Sequence, residues 1–212
     1  MKQKIIIFSI FLTTCLQAFS QQLVVETGKA ITSFDYKNSQ GNQLDNLQST
    51  NQNYMYIGYR TKVFKDFIFA SLGANYSTYG AIGSDNILNN YFEWETSYLG
   101  LNVGLDFRIF KIKKINFYIK STFSSEFIIQ GTQTLNNTVY DLVGADDFDQ
   151  TNYFFRAGTF IDYSISEHMT LFFQYMGGKS KQLRSSVSNI DQEKLRLVSH
   201  NFGFGLFINL KS

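Results

Sequence analysis

Apolar and polar residues alternate with a period of two over most of this chain, which predicts long β strands. The segment SYLGLNVGLDFRIF, residues 97–110, shows the pattern most clearly. From residue 99 to 109, large apolar residues hold the odd positions, and glycine, asparagine, aspartate and arginine hold the even ones. Few soluble sheets use strands this long, whereas about 10 tilted residues at roughly 3.3 Å each cross the hydrocarbon layer of a membrane. The pattern therefore favours a strand with one face against lipid.

The same alternation recurs in seven other segments, at residues 23–36, 55–63, 68–77, 116–129, 153–165, 169–178 and 201–210. Tight connections near residues 65–66, 111–115 and 166–168 take turns with long ones at residues 37–52, 80–93, 131–150 and 181–194. Short turns on one side of a membrane and long loops on the other are typical of transmembrane barrels. We therefore predict an all-β fold, an eight-stranded antiparallel up-and-down transmembrane β-barrel, whose closure leaves no strand edge in lipid.

The first strand departs from this regularity. Glu26 and Lys29 have opposite parity, so they cannot both avoid lipid in a regular strand. A β-bulge at Gly28 would bring both to the same side, because a bulge inserts one extra residue and resets the parity. The sequence therefore predicts an irregularity at Gly28.

In such a barrel the apolar parity faces outward and the polar parity fills a narrow lumen. Glycines on the polar parity fit a cramped interior: Gly58, Gly73, Gly100, Gly104, Gly158, Gly203 and Gly205. Charges of both signs share that parity and must pair, since an unpaired buried charge costs several kcal/mol. The predicted lumen charge network is Arg60, Lys62, Asp106, Arg108, Lys120, Glu126, Arg156 and Asp162. The alternative is a soluble lipocalin-like barrel, in which the apolar face points inward.

Aromatic residues gather at the strand ends, as in the interfacial girdles of membrane proteins. Near the long loops lie Tyr36, Tyr54, Tyr76, Tyr79, Trp94, Tyr98 and Tyr153. Near the short turns lie Phe64, Phe67, Phe110, Phe117 and Tyr163. We predict that these two sets mark the two membrane surfaces.

The N-terminus has the features of a secretory signal. Lys2 and Lys4 precede an apolar run, and Ala18 and Ser20 provide small residues for cleavage after Ser20. We expect residues 1–20 to be the signal peptide and residues 21–212 the outer-membrane barrel. Cys15 makes a lipoprotein signal the alternative. Removing residues 1–20 takes two of the 19 basic residues and no acid, which leaves 17 of each sign and gives no support for nucleic-acid binding.

Candidate chemistry is sparse. No Cys or His cluster is present to hold zinc or iron. The acids at 141, 146, 147 and 149 lack the spacing of a calcium loop. We expect no cofactor, no metal and no catalytic residue. The alternative of a lipid-modifying enzyme rests on His200, beside Ser199, as a base at the outer rim, because His168 falls in a short turn.

The alternating glycine-rich strands and the last strand, FGFGLFINL at residues 202–210, resemble those of small Bacteroidetes outer-membrane barrels of the PorT-like group. That group belongs with eight-stranded barrels such as the OmpA transmembrane domain and OmpX. The resemblance implies a location in the cell outer membrane. We expect a non-enzymatic structural or interaction protein that contacts lipid, lipopolysaccharide or another envelope protein through its loops and outer wall. A narrow porin-like or laterally opening transporter of a small solute is the alternative.

Overall fold

A computed structural model describes residues 21–37, 46–85, 90–144, 151–182 and 194–210. The predicted signal peptide lies outside these residues. The elements are β1 Gln21–Lys37, β2 Gln48–Phe64, β3 Ile68–Asp85, β4 Asn90–Ile112, β5 Ile115–Leu135, β6 Thr138–Asp141, β7 Asn152–Ser164, β8 Met169–Gln182 and β9 Lys194–Asn209. In the described part of the chain, no helix has the length and apolar character needed to cross a membrane.

The strands form a closed antiparallel ring. Each strand of the ring pairs with its neighbours in sequence, β4 pairs with β5, and β9 closes the ring against β1. The short strand β6 stands outside the ring and pairs with the upper part of β5. The prediction of an eight-stranded up-and-down barrel is therefore confirmed.

The stagger of the ring fixes its width. From Gly28 on β1, moving from each residue to its cross-strand partner around the ring in one direction leads to Tyr98 on β4. In the other direction it leads to Arg108 on the same strand, ten positions further along. Such a stagger tilts eight strands by roughly 40° and leaves an interior just wide enough for side chains.

The outward face is apolar, as predicted. On β4, Leu101 is 65% exposed, whereas Asn102 and Asp106 on the other parity are 8% and 2% exposed. On β9, Phe204 is 58% exposed. The lipocalin-like alternative is wrong, because it requires the apolar face to point inward.

The predicted bulge at Gly28 is also wrong. Strand β1 pairs in continuous register with both β2 and β9 through Gly28. Glu26 is buried in the lumen and Lys29 is exposed on the outer wall, where its Nζ donates a hydrogen bond of 2.7 Å to Oδ1 of Asn53. The long lysine side chain reaches a polar partner without any change of parity, which explains why the strand remains regular.

The two ends of the barrel differ. At one end, called the turn end, residues 65–67, 113–114 and 165–168 make the three predicted tight turns. At the other end, β3 and β4 stay paired as far as Asp85 and Asn90, and β5 continues through an Asn136–Asn137 turn into β6. Within the predicted long connections, residues 80–85, 90–93, 131–135 and 138–141 are therefore strands, because the ladder continues through glycine and asparagine positions that favour loops. Residues 79–85, 90–97 and 130–142 form this projection, called the crown.

Candidate functional site

The lumen contains an aromatic layer near each end and a polar layer between them. The layer near the turn end consists of Val24, Tyr56, Phe69, Tyr118, Phe160, Phe172 and Phe207. The layer near the crown consists of Phe34, Tyr79, Ala81, Tyr98, Leu142, Phe154 and Leu197. These side chains come from the inward parity of their strands, so the same alternation that exposes apolar residues to the outside also places rings inside.

Arg60 lies within the layer near the turn end. Its Nε is 2.6 Å from Oδ2 of Asp106, and its Nη1 donates to Oε1 of Gln22 at 2.9 Å. The guanidinium carbon is 3.8 Å from the centroid of the Phe69 ring and 4.6 Å from that of Phe207. A cation held between an acid and aromatic faces is both neutralised and closely packed, so it blocks this end of the lumen.

The middle layer is polar and centres on Lys120. Its Nζ donates to Oε1 of Gln174 at 2.9 Å and lies 3.7 Å from Oε2 of Glu26. Gln174 in turn donates to the Glu26 carboxylate. The amide of Gln174 thus links a buried cation and a buried anion that come from opposite sides of the ring.

Glu126 is fully buried below the crown and accepts four hydrogen bonds. The donors are Arg156 at 3.0 Å, Tyr79 at 2.6 Å, Asn75 at 3.0 Å and Ser124 at 2.7 Å. Arg156 also donates to the Ser124 hydroxyl at 2.9 Å and to the Tyr79 hydroxyl. This carboxylate therefore joins residues of three strands in one cross-lumen network.

Among the described residues, the side chains of the polar layer enclose only a small cavity. A cavity of about 40 Å³ lies in the polar layer, lined by Glu26, Lys120, Gln174 and Asn102 among others. A single water needs roughly 10–15 Å³ of such volume, so the cavity accommodates a few water molecules. It is far below the 300 Å³ or more that is typical of ligand pockets.

The structure brings together most of the predicted charge network. Arg60, Asp106, Lys120, Glu126 and Arg156 all take part in interior ion pairs. Sequence reasoning missed Glu26, because the position of Lys29 made the parity of β1 ambiguous.

The other three predicted members of the lumen charge network take part in none of these interior ion pairs. Lys62 pairs with Asp66 at the turn end, where both side chains are partly exposed, and Arg108 lies half-buried near the same rim. Asp162 is buried and accepts a 2.6 Å hydrogen bond from Nδ2 of Asn116. Within the described residues, it forms no ion pair.

The predicted girdle near the long loops is wrong for three of its members. Tyr54, Tyr79 and Tyr98 are buried in the lumen, and the Tyr79 ring stacks on Phe154 with centroids 5.2 Å apart. The side chain of Tyr36 lies outside those described. At the turn end, Phe64, Phe67, Phe110 and Tyr163 are each about half exposed, and Phe117 stacks on Phe110 at 4.3 Å.

The residues considered for catalysis do not meet. Ser199 is buried in the lumen, whereas His200, on the opposite parity, is exposed on the outer wall. His200 Nδ1 instead forms a 2.8 Å hydrogen bond with the Tyr175 hydroxyl. The base and hydroxyl expected of this site therefore point to opposite faces of β9.

The crown has a distinctive surface. The charged side chains described in the crown are the exposed acids Glu93, Glu95 and Asp141, and the sequence has no Lys or Arg from residue 66 to 107 or from 121 to 155. Exposed apolar side chains accompany these acids: Tyr91, Val139 and Tyr140 in the crown and Val143 next to it. The remaining acids of the stretch, at residues 146, 147 and 149, lie outside the described residues.

The inner side of the crown is packed onto the barrel. Leu142 is buried in the aromatic layer below, and Trp94 packs against the same layer. The centroid of the Trp94 ring lies 5.9 Å from that of Phe34, and the Trp94 and Phe92 rings stack with their centroids 5.4 Å apart. The crown is thus a projection anchored by aromatic contacts, with one acidic and apolar surface left exposed.

No protein-family model and no curated protein matches this chain. Solved structures similar to it include Neisserial surface protein A, with 13% identity, a TM-score of 0.47 and coverage of 89% of this chain and 97% of that one. OprG from Pseudomonas aeruginosa has 15% identity, a TM-score of 0.48 and coverage of 90% and 97%. Ail of Yersinia pestis has 12% identity, a TM-score of 0.43 and coverage of 90% and 100%. These proteins are small eight-stranded outer-membrane barrels. The likeness to Bacteroidetes PorT-like proteins is tested by none of them and stays a prediction.

Proposed function

We propose that this chain is a non-enzymatic outer-membrane protein with a closed lumen, which acts in the cell envelope through its crown and outer wall. The membrane assignment is supported by the exposed apolar band. On β4 this band covers residues 99–109, close to the 9–11 residues that a tilted strand needs to cross a bilayer. An apolar surface that surrounds the whole barrel is much larger than the few hundred Å² that soluble monomers expose.

The turn end lies in the periplasm and the crown outside the cell in this proposal. Short periplasmic turns and longer extracellular segments are the usual arrangement of such barrels, and export by the predicted signal peptide is consistent with it. Lipid and lipopolysaccharide then surround the wall, and another envelope protein is the partner expected at the crown.

The filled lumen is the observation that carries the proposal. Within the part of the chain that the structure describes, two aromatic layers and three buried ion pairs surround a cavity of about 40 Å³, which supports the crown and the wall as the surfaces available for interaction. The interior network then serves to stiffen the barrel. In planar bilayers we expect no stepwise conductance, and in liposome swelling assays no solute uptake. Reproducible flux of a small solute through inserted protein would replace this proposal with transport.

A crown-shortened variant tests the interaction role. Replacing residues 80–95 and residues 131–143 each by Asn-Gly removes the projection but keeps the strand pairing of the ring below it. A photo-crosslinking amino acid at Val139 should give a discrete protein adduct in intact cells, whereas the same group at the lipid-facing Leu105 should not. Shortening the crown should abolish the phenotype of the intact gene product without abolishing heat modifiability, which reports barrel insertion. Full activity of the shortened, inserted protein would refute a role for the crown.

The acids of the crown can be tested without changing its shape. Glu93→Gln, Glu95→Gln and Asp141→Asn remove three exposed charges at nearly constant volume. A basic partner should lose adduct yield in this triple variant and in high salt, since exposed charges are screened. Unchanged yield in the triple variant would assign recognition to the apolar side chains of the crown instead.

A further inference from the structure

The turn end has a basic sector made by two neighbouring turns. The β2–β3 hairpin contributes Lys62 near the end of β2 and Lys65 in the turn. The β4–β5 hairpin contributes Lys111 near the end of β4, and Lys113 and Lys114 in the turn. A backbone hydrogen bond of 2.9 Å from Arg108 N to the carbonyl oxygen of Phe67 joins the two turns. The β7–β8 turn, elsewhere on the rim, carries Glu167 and His168 instead. Among the described residues of the three turns, the lysines are therefore concentrated on one side of the rim.

Two of these lysines occupy unfavourable backbone positions. Lys65 has φ 44° and Lys113 has φ 53°, in the left-handed region that favours glycine and asparagine. The β5–β6 turn of the crown also needs left-handed residues, and it has Asn136 and Asn137 there, at φ 47° and 70°. Because lysine does not favour this backbone conformation, the charge of its side chain explains its presence in these two turns better than turn geometry does.

The local electrostatics agree with a net positive potential. Asp66 is the acid of the β2–β3 turn, and its pKa is lowered by a hydrogen bond from Lys62 and by the nearby charges of Lys62, Arg108 and Lys111. Only one of the lysines has a carboxylate partner among the described residues. Lys65, Lys113 and Lys114 are exposed and available to an anion outside the protein.

The depth of this sector points to a lipid partner. Phe64, Phe67 and Phe110 are about half exposed beside the lysines, and the Lys65 ammonium nitrogen lies 5.6 Å from the centroid of the Phe64 ring. Aromatic side chains mark the boundary between hydrocarbon and headgroups, and lysines next to them extend into the headgroup layer. The charges thus lie at the level where lipid phosphates are found.

We propose that the turn-end sector of Lys62, Lys65, Lys111, Lys113 and Lys114 binds the phosphate headgroups of anionic glycerophospholipids in the adjacent leaflet. Clusters of four or more basic residues at a membrane surface attract anionic lipid in this way. The inference depends on the membrane assignment but not on the role of the crown.

The test compares lipid selectivity at the two ends of the barrel. The protein is reconstituted in phosphatidylcholine vesicles, and electron paramagnetic resonance measures the association of spin-labelled phosphatidylglycerol relative to spin-labelled phosphatidylcholine. The test variant is Lys65→Asn with Lys113→Asn and Lys114→Asn, since asparagine tolerates the left-handed conformation at the first two positions. The matched control is Lys179→Asn with Lys181→Asn, two exposed lysines on the crown side of β8.

Wild-type protein should prefer the anionic lipid by about threefold or more, and high salt should reduce that preference. The turn variant should lose most of the preference, and the control should keep it. Equal selectivity of wild-type and turn variant would overturn the proposal. So would lysine-dependent binding of soluble polyglutamate without any lipid preference, which would indicate an acidic polymer as the partner. A chain that fails to insert, judged by heat modifiability, would contradict the membrane assignment instead.

Discussion

At the scale of single residues, the Glu126–Arg156 pair shows how charge is held inside this barrel. Both side chains are removed from solvent, so each depends on the other and on Tyr79, Asn75 and Ser124 to replace lost hydration. Removing one partner leaves a buried charge without compensation, whereas removing both eliminates the cost. The network is therefore strongly coupled.

Glu126→Gln should lower the free energy of unfolding by about 3–5 kcal/mol, because it leaves the Arg156 guanidinium without its counter-ion. The double variant Glu126→Leu with Arg156→Met should recover most of that loss. Urea unfolding of protein in vesicles, followed by fluorescence, measures both. The exposed Lys62–Asp66 pair is the control, and Lys62→Gln should cost less than about 1 kcal/mol. Equal effects of the buried and exposed substitutions would contradict the coupling.

Interior glycines leave space for neighbouring backbone as well as for rings. A Cβ at Gly158 would lie 1.9 Å from the carbonyl oxygen of Tyr175 and 2.8 Å from the Cα of Met176. Because backbone atoms cannot move aside without disturbing the ladder, Gly158→Ala should cost about 1–3 kcal/mol. On the adjacent strand, a Cβ at Gly177 would have its nearest neighbour at 3.4 Å. Gly177→Ala should therefore be neutral or slightly stabilising in the same urea experiment, and a larger loss at Gly177 than at Gly158 would refute the steric argument.

The alternation along each strand predicted which charged residues enter the lumen, but it did not predict all of their hydrogen-bond partners. Arg60, Asp106 and Lys120 lie on strands whose alternation is unambiguous, so their interior position could be predicted. Tyr79 shares the inward parity of Asn75 and Ser77 on β3, so parity alone indicated the lumen. It was nevertheless predicted to lie in a girdle, because a tyrosine ring at a strand end suits a membrane interface as well as a lumen. The pairing with Glu126 depends on the three-dimensional stagger of the ring, which a single sequence does not specify.

At the scale of elements, β4 shows where the pattern stops being informative. Its lower part alternates strictly because one face meets lipid and the other meets the lumen. The upper part, residues 90–97, has no lipid on its outer face, so polar residues are acceptable on both faces and the alternation is weaker. That is why the sequence predicted a loop where the structure has a ladder from Tyr79–Thr96 to Asp85–Asn90.

The crown ladder should be visible in hydrogen exchange. Amides of residues 79–84 and 91–97 are expected to exchange slowly, whereas those of the β7–β8 turn, residues 165–168, should exchange rapidly. Trp94→Ala removes the ring that packs on Phe34 and Phe92, so it should speed exchange in the crown and leave the lower parts of β3 and β4 protected. Rapid exchange across residues 79–84 and 91–97 in the unmodified protein would mean that this segment is a loop after all.

At the scale of the whole molecule, three zones follow one another along the barrel axis. The basic turn end comes first, the apolar band of the wall second and the acidic crown last. The barrel itself could be predicted because alternation over eight segments, irregular only in the first, and alternately short and long connections fit few folds besides a closed membrane barrel. The filled lumen was predicted from the size of an eight-stranded barrel, and the packing of the aromatic layers and the volume of the cavity among the described residues support that prediction.

The depth of these zones can be measured with the single tryptophan of the chain. Trp94 belongs to the crown, above the apolar band, so lipids brominated near the end of their acyl chains should not quench its fluorescence. In a Trp94→Phe background, Leu105→Trp places the reporter on the outward face near the middle of residues 99–109, where the same lipids should quench it strongly. Quenching should therefore be stronger for Leu105→Trp than for Trp94, because the outward face of β4 at residue 105 meets lipid. Quenching of Trp94 at least as strong as that of Leu105→Trp would move the bilayer toward the crown and contradict the assignment of its acids to the aqueous side.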